Sequence, residues 1–232
     1  MKTILECSSL TKNYGSFTAL NNVNLKLSKG KIIGLLGPNG SGKTTFIKIV
    51  AGLLQPTSGV VTVGGNEIGI ESKKIVSYLP ERTYLSDWMT VEDAINCHAD
   101  FYSDFNRQKA DKMLSSLNID IKARLKSLSK GTKEKVQLIL VMSRDAQLYL
   151  LDEPIAGVDP AARDYILQTI ISNYNPDATI ILSTHLIYDI ENYLDEFIFI
   201  QNGNILRYDS VDNAREKSGK SINDLFREVF RC

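Results

Sequence analysis

Eight residues, Gly37-Pro38-Asn39-Gly40-Ser41-Gly42-Lys43-Thr44, carry the spacing G-x-x-x-x-G-K-[ST] of a loop that cradles phosphates. A polyphosphate carries several negative charges. Successive backbone N–H groups can point at it only where side chains stay out of the way. Gly37, Gly40 and Gly42 supply the freedom and close approach. Lys43 offers a point charge between β- and γ-phosphates, and the Thr44 hydroxyl can ligate Mg²⁺. The run Thr45 to Ala51 reads as a helix whose positive N-terminal end faces the same phosphates.

A second constellation follows far along the chain. Leu148-Tyr149-Leu150-Leu151-Asp152-Glu153-Pro154 sets two adjacent carboxylates at the end of an apolar strand. Ligands of open α/β sheets sit at the carboxyl ends of strands. Asp152 is therefore placed to hold Mg²⁺, and Glu153 to polarise an attacking water as general base. A solvated Asp-Glu pair opening a turn before Pro154 is the bland alternative; the loop at residues 37–44 decides against it. Ser183-Thr184-His185 ends the next apolar run, and a neutral His185 imidazole there can hydrogen-bond a γ-phosphate oxygen and the water.

These groups need a framework. Lys31 to Leu36 is an apolar run that reads as a buried strand, so strand, Gly-rich loop and helix follow in the order the motif requires. Thr3 to Cys7, Phe17 to Leu20 and Asn24 to Leu27 alternate like strands, as do Val60 to Val63 and Ile75 to Leu79. From Thr90 the period becomes helical, with a capping-box start, a second helix near Asn106 to Leu117 and a third over Lys133 to Met142. Strands at Gln147–Leu151, Ala178–Leu182 and Glu196–Ile200 then alternate with helices at Pro160–Asn173 and Leu186–Tyr193. The expectation is a parallel α/β core bracketing an all-helical insertion, residues 81–146, within a single domain of 232 residues.

Composition is that of an ordinary globular protein, 43% apolar and 23% charged. Lys+Arg and Asp+Glu both number 27, so no global charge bias favours nucleic acid or an anionic membrane. No apolar run approaches the ~18 residues that span a bilayer. The N-terminus lacks a signal-peptide pattern. Cys7, Cys97 and Cys232 are widely spaced and read as free thiols in a reducing cytoplasm. His98 and Trp88 stand alone, and packing accounts for His98.

With these elements in order, the chain resembles, over essentially its full length, the nucleotide-binding subunit of an ATP-binding cassette (ABC) transporter. The resemblance implies a P-loop NTPase (RecA-like) core with an N-terminal antiparallel β subdomain and the α-helical insertion. It implies ATP and Mg²⁺ as cofactors, the metal held by Thr44, Glu81 and Asp152, and Glu153 and His185 as the catalytic pair. Tyr14 matches the aromatic residue that stacks on adenine, and Gly37 through Thr45 the phosphate loop. Leu128-Ser129-Lys130-Gly131-Thr132 occupies the place of the L-S-G-G-Q signature, with Ser129 and Gly131 completing the ATP site of a partner subunit. Gly157-Val158-Asp159 resembles the D-loop that couples the two sites.

Two departures stand out: Lys130 and Thr132 in the signature, and Glu81 where the family has Gln. Glu81 can ligate Mg²⁺ but donates no amide N–H. The variant pattern is similar to bacterial antibiotic and multidrug exporters. It implies a separately encoded transmembrane permease, a head-to-tail homodimer or heterodimer with a related ATPase, and a cytoplasmic location against the membrane through that permease. The segment Arg82 to Met89, aromatic and Met-bearing, suits reception of a membrane-protein helix. The competing reading is a soluble ABC ATPase acting on an assembly scaffold of the iron–sulfur type. The chain carries neither the long coiled coil of DNA-repair members nor the second cassette of ribosome-acting ones.

Overall fold

A computed structural model describes residues 2–156 and 160–230. The chain opens with a hairpin of two long strands, β1 (Thr3–Tyr14) and β2 (Phe17–Ser28). Together with β4 (Ser58–Val63) and β5 (Asn66–Glu67) they form an antiparallel sheet in the order β2-β1-β4-β5. The second sheet has six strands, β10-β9-β3-β8-β7-β6. Its strands are β3 (Ile32–Leu36), β6 (Val76–Leu79), β7 (Leu148–Asp152), β8 (Thr179–Thr184), β9 (Glu196–Gln201) and β10 (Asn204–Ser210). All its pairings are parallel except β9 with β10.

The sequence explains which strands lie at the centre. In β3, β7 and β8 every residue is buried, as parallel strands covered on both faces require. Ile33 and Leu35 face a core shared with the first sheet and with α1 (Lys43–Val50), which buries Phe46, Ile47, Ile49 and Val50. Ile32 and Leu36 face the opposite core, built with the later helices. Each such side chain stabilises the sandwich by about 1.5–3 kcal/mol.

Between β6 and β7 lie three helices, α3 (Val91–Phe101), α4 (Arg107–Ser116) and α5 (Lys130–Met142), following the short α2 (Ile70–Lys74). Thr90 caps α3 in a reciprocal box with Asp93, and Asn106 caps α4. Arg144 ties the end of this segment to the sheet. Buried, it donates to the carbonyls of Lys74 (2.7 Å) and Val76 (2.5 Å), pairs with Asp104 and lies 3.8 Å from the centre of the Tyr102 ring.

After β7 come α6 (Pro160–Asn173), α7 (Ile187–Ile190), α8 (Val211–Ser218) and α9 (Ile222–Phe230). Several elements depart from the sequence reading. The three N-terminal runs join into two 12-residue strands, because bulges at Ser9 and Asn22, both at φ 50°, absorb the breaks in alternation. The third helix of the insertion starts at Lys130, three residues earlier than expected, because Ser129 accepts from the Thr132 N–H as its cap. Strand β10 and helices α2 and α8 carry no strong period and go unread in the sequence, as does α9 despite its amphipathic pattern.

Candidate nucleotide site

Strand β3 delivers Gly37 at its carboxyl end, where the chain must turn tightly beneath β9 and the first hairpin. A methyl group on Gly37 would collide with the carbonyl of Ile200, and one on Gly42 would lie 2.6 Å from the carbonyl of Ala19. Gly40 and Gly42 adopt φ of 78° and 110°, values that favour glycine. Gly42 is the N-cap of α1, so the unpaired N–H groups of the first turn open onto the loop. The Ser41 hydroxyl is buried without a partner, a polar atom suited to a phosphate oxygen.

Lys43 is 6% exposed and folds back over its own loop. Its ammonium donates to the carbonyls of Gly37 (2.8 Å) and Pro38 (3.2 Å) and lies 3.4 Å from Glu153 Oε1. Strands β7 and β8 are parallel neighbours with Asp152 opposite Ser183, which brings the carboxylates and His185 to one edge. Glu153 sits just past β7 at φ 50°, a strained conformation for a side-chain-bearing residue, fixed by its N–H bonding to Ser183. Its Oε2 is 3.2 Å from His185 Nδ1.

Asp152 is fully buried. Its Oδ1 accepts from Ser183 (2.7 Å) and from Thr44 (3.2 Å), while Oδ2 has no partner. Burial pushes this carboxyl above the usual range; the two hydroxyl bonds oppose that, and the charges of Glu153 and Glu81 add to it. A disfavoured buried anion with one oxygen orphaned and the other 3.2 Å from a threonine hydroxyl is a place that a divalent cation would relieve. Among the described residues no three His, Cys, Asp or Glu side chains converge as a metal cage. That suits Mg²⁺, which is held by one or two carboxylates together with phosphates and waters.

A cavity of about 430 Å³ gathers much of the expected set: Tyr14, the loop from Asn39 to Thr45, Glu81, Glu153 and His185. Gly37 and Pro38 do not line it; their carbonyls accept from Lys43, which does. Ser129 and Gly131 do not line it, and Asp159 lies outside the described residues. The cavity also holds Phe17, which the sequence reading missed. Phe17 pairs with Tyr14 across the two-residue turn Gly15-Ser16, so two exposed aromatic residues flank the hairpin tip. An aromatic directly opposite Tyr14 was the available signal. Ser183 reads in the sequence only as a strand end, yet its hydroxyl donates to the Asp152 carboxylate and accepts from the Glu153 N–H.

A second cavity, about 670 Å³, opens between α1 and α3. Tyr78, Tyr84, Phe101 and Tyr102 supply its apolar walls, with Lys48, Lys73 and Arg82 around them. His98 also lines it; its Nδ1 donates to the carbonyl of Ala94, which leaves Nε2 to accept from the Tyr84 hydroxyl at 3.0 Å. Of the segment Arg82 to Met89, Arg82 and Tyr84 reach this cavity; Trp88 is exposed elsewhere. Among the described residues no helix is long and apolar enough to cross a membrane.

Known proteins share this arrangement. The ABC transporter family model matches residues 20–156, more than half the chain. The chain is 31% identical to the lantibiotic transport ATP-binding protein SrtF of Streptococcus pyogenes, over 94% of this chain and 97% of that one. It is 29% identical to the ABC-type transporter ATP-binding protein EcsA of Bacillus subtilis, covering 99% and 97% of the two. A solved ATP-binding subunit of an ABC transporter superposes with a TM-score of 0.87 at 28% identity, over 98% of this chain and 100% of that one. These likenesses favour a transport subunit over an assembly-scaffold ATPase. With its phosphate loop, paired carboxylates and sheet order, the chain belongs to the ABC transporter family as an ATP-binding, ATP-hydrolysing subunit.

Proposed function

We propose that this chain powers export through a separately encoded transmembrane permease, working with Mg²⁺ and as a head-to-tail dimer, with itself or with a related ATPase. The observation that carries the reading is the division of the site. The loop, Tyr14, Glu81, Glu153 and His185 share one cavity, while Ser129 and Gly131 stand outside it. Those two residues would close over the nucleotide of the other subunit, with the N-terminus of α5 aimed at its γ-phosphate.

Within the half-site the roles follow from position. Tyr14, with Phe17 beside it, offers a ring surface to the adenine. The loop amides from Asn39 to Thr45 and Lys43 hold the phosphates. Thr44, Asp152 and Glu81 would hold Mg²⁺, which when bound neutralises charge on the β- and γ-oxygens. Glu153 takes the proton of the attacking water, and His185 orients Glu153 from 3.2 Å.

The groove of Tyr78, Tyr84 and Phe101 receives the membrane partner and sets the protein at the cytoplasmic face of the membrane. Export as the direction rests on relatives such as the lantibiotic transport protein and the Nod factor export ATP-binding protein I of Rhizobium etli, 30% identical over 99% of this chain.

Co-expression with the membrane protein of the neighbouring gene tests this. Copurification, together with a dimer of the Glu153→Gln variant stabilised by Mg-ATP on that partner, is the expected result. A variant that stays monomeric on its partner with Mg-ATP would overturn the dimer, and failure to copurify would overturn the permease assignment.

A further inference from the structure

Seven consecutive residues of α5, Val136 to Met142, are buried, and six of them are apolar. The exception is Gln137, 3% exposed. A primary amide in such a run is costly unless both its ends are used. One end is: Nε2 donates to the carbonyl of Pro80 at 3.2 Å. Because a carbonyl only accepts, the amide orientation is fixed, and Oε1 must point the other way. There it has no partner. Gln137 borders a cavity of about 30 Å³ shared with Glu81, Glu134 and Glu153.

Two features of this placement bear on the ATP site. Pro80 immediately precedes Glu81, so the bond grips the backbone of the loop that presents Glu81. Gln137 lies two turns along α5 from Ser129, on the same rigid helix, about 12 Å of rise away. Glu81 itself cannot donate a hydrogen bond, so its side chain lacks the amide that would tie it to neighbouring acceptors. The carboxylates around the cavity also only accept. A water molecule has the two donors needed to join Gln137 Oε1 to one of them, and the space admits one.

We propose that Gln137 is a positioning residue that couples α5 to the Glu81 loop, supplying from the helix the amide that position 81 lacks. Movement of the nucleotide site is thereby passed to Ser129 and Gly131 through one buried side chain. The inference rests on the reading of Glu81 as a site residue.

The test uses the full chain and Gln137→Met, which keeps the volume and removes both polar ends. The first readout is hydrogen exchange with ATP in the absence of metal. Wild type should show ATP slowing exchange around residues 129–137 by roughly tenfold, the scale of an energetic coupling between sites. Gln137→Met should lose most of that protection while retaining protection of the phosphate loop.

The second readout is ATP turnover in two backgrounds. Gln137→Met should lower kcat several-fold with Glu81 present, and Glu81→Gln should restore it. Equal losses in both backgrounds, or unchanged propagation of protection to α5, would overturn the proposal. If Glu81→Gln alone leaves the Mg²⁺ dependence untouched, the reading of Glu81 fails, and the metal-free exchange result still decides the role of Gln137. Should Gln137→Met not fold, Gln137→Asn retains an amide too short to reach Pro80. It should show the same loss of protection, and full protection in that variant would overturn the proposal.

Discussion

Lys43 Nζ lies 3.4 Å from Glu153 Oε1, and both side chains are nearly buried. The cation of the phosphate loop is thus engaged by the carboxylate that follows β7. A terminal phosphate must take Lys43 from Glu153, and the ion pair released is one whose charges water reaches poorly. Replacing Glu153 by Gln should therefore tighten metal-free ATP binding several-fold. Titration calorimetry checks this, and equal or weaker binding would show that the pair does not oppose the nucleotide.

Removal of the cation has the opposite effect. Lys43→Ala should weaken ATP binding by roughly 10²-fold, about the 1.5–3 kcal/mol of a hydrogen bond to a charged group. Filter binding or calorimetry gives the answer, and unchanged affinity would remove the loop from the nucleotide site.

Asp152 trades stability for function. Its folded-state carboxyl is held above its unfolded value, first by burial. The folded chain therefore binds that proton more tightly than the unfolded one. The penalty for ionising Asp152 appears as pH rises through the unfolded value and the raised folded one, then stays constant above. Asp152→Asn removes the charge and should raise the melting temperature of the protein at neutral pH, without nucleotide or metal, while lowering hydrolysis by orders of magnitude. A lower melting temperature would show that the Ser183 and Thr44 bonds outweigh burial.

Glu81 brings a second carboxylate to the cavity that holds Lys43 and Glu153. Its charge should strengthen metal binding relative to an amide, so Glu81→Gln should still hydrolyse ATP but require several-fold more Mg²⁺ for half-maximal rate. Identical Mg²⁺ titrations would reduce Glu81 to a tolerated substitution.

Much of this was legible in the sequence because the site is made of contiguous motifs. Gly37 to Thr45 announces a loop by residue type alone, and the apolar runs before it and before Asp152 read as buried strands. What was not legible depends on distant partners. Phe17 matters because the Gly15-Ser16 turn sets it against Tyr14. Gln137 looks like one polar residue on a helix until the Pro80 carbonyl is found beside it. Strand β1 hid behind bulges at Ser9, and β10 behind an alternation that its exposed edge position does not require. Helix α9 is strongly amphipathic in the fold, yet its Phe226 and Phe230 gain meaning only against Phe199.

The central claim, ATP hydrolysis with Glu153 as general base, is tested most directly by single-turnover phosphate release from bound Mg-ATP. Wild type and Glu153→Gln are compared with saturating protein and the membrane partner present, so that binding and product release drop out of the rate. The expected result is retained ATP binding with phosphate release at least roughly 10²-fold slower in the variant, the scale of one general base. Release at the wild-type rate would contradict the account and move the proton transfer to another group.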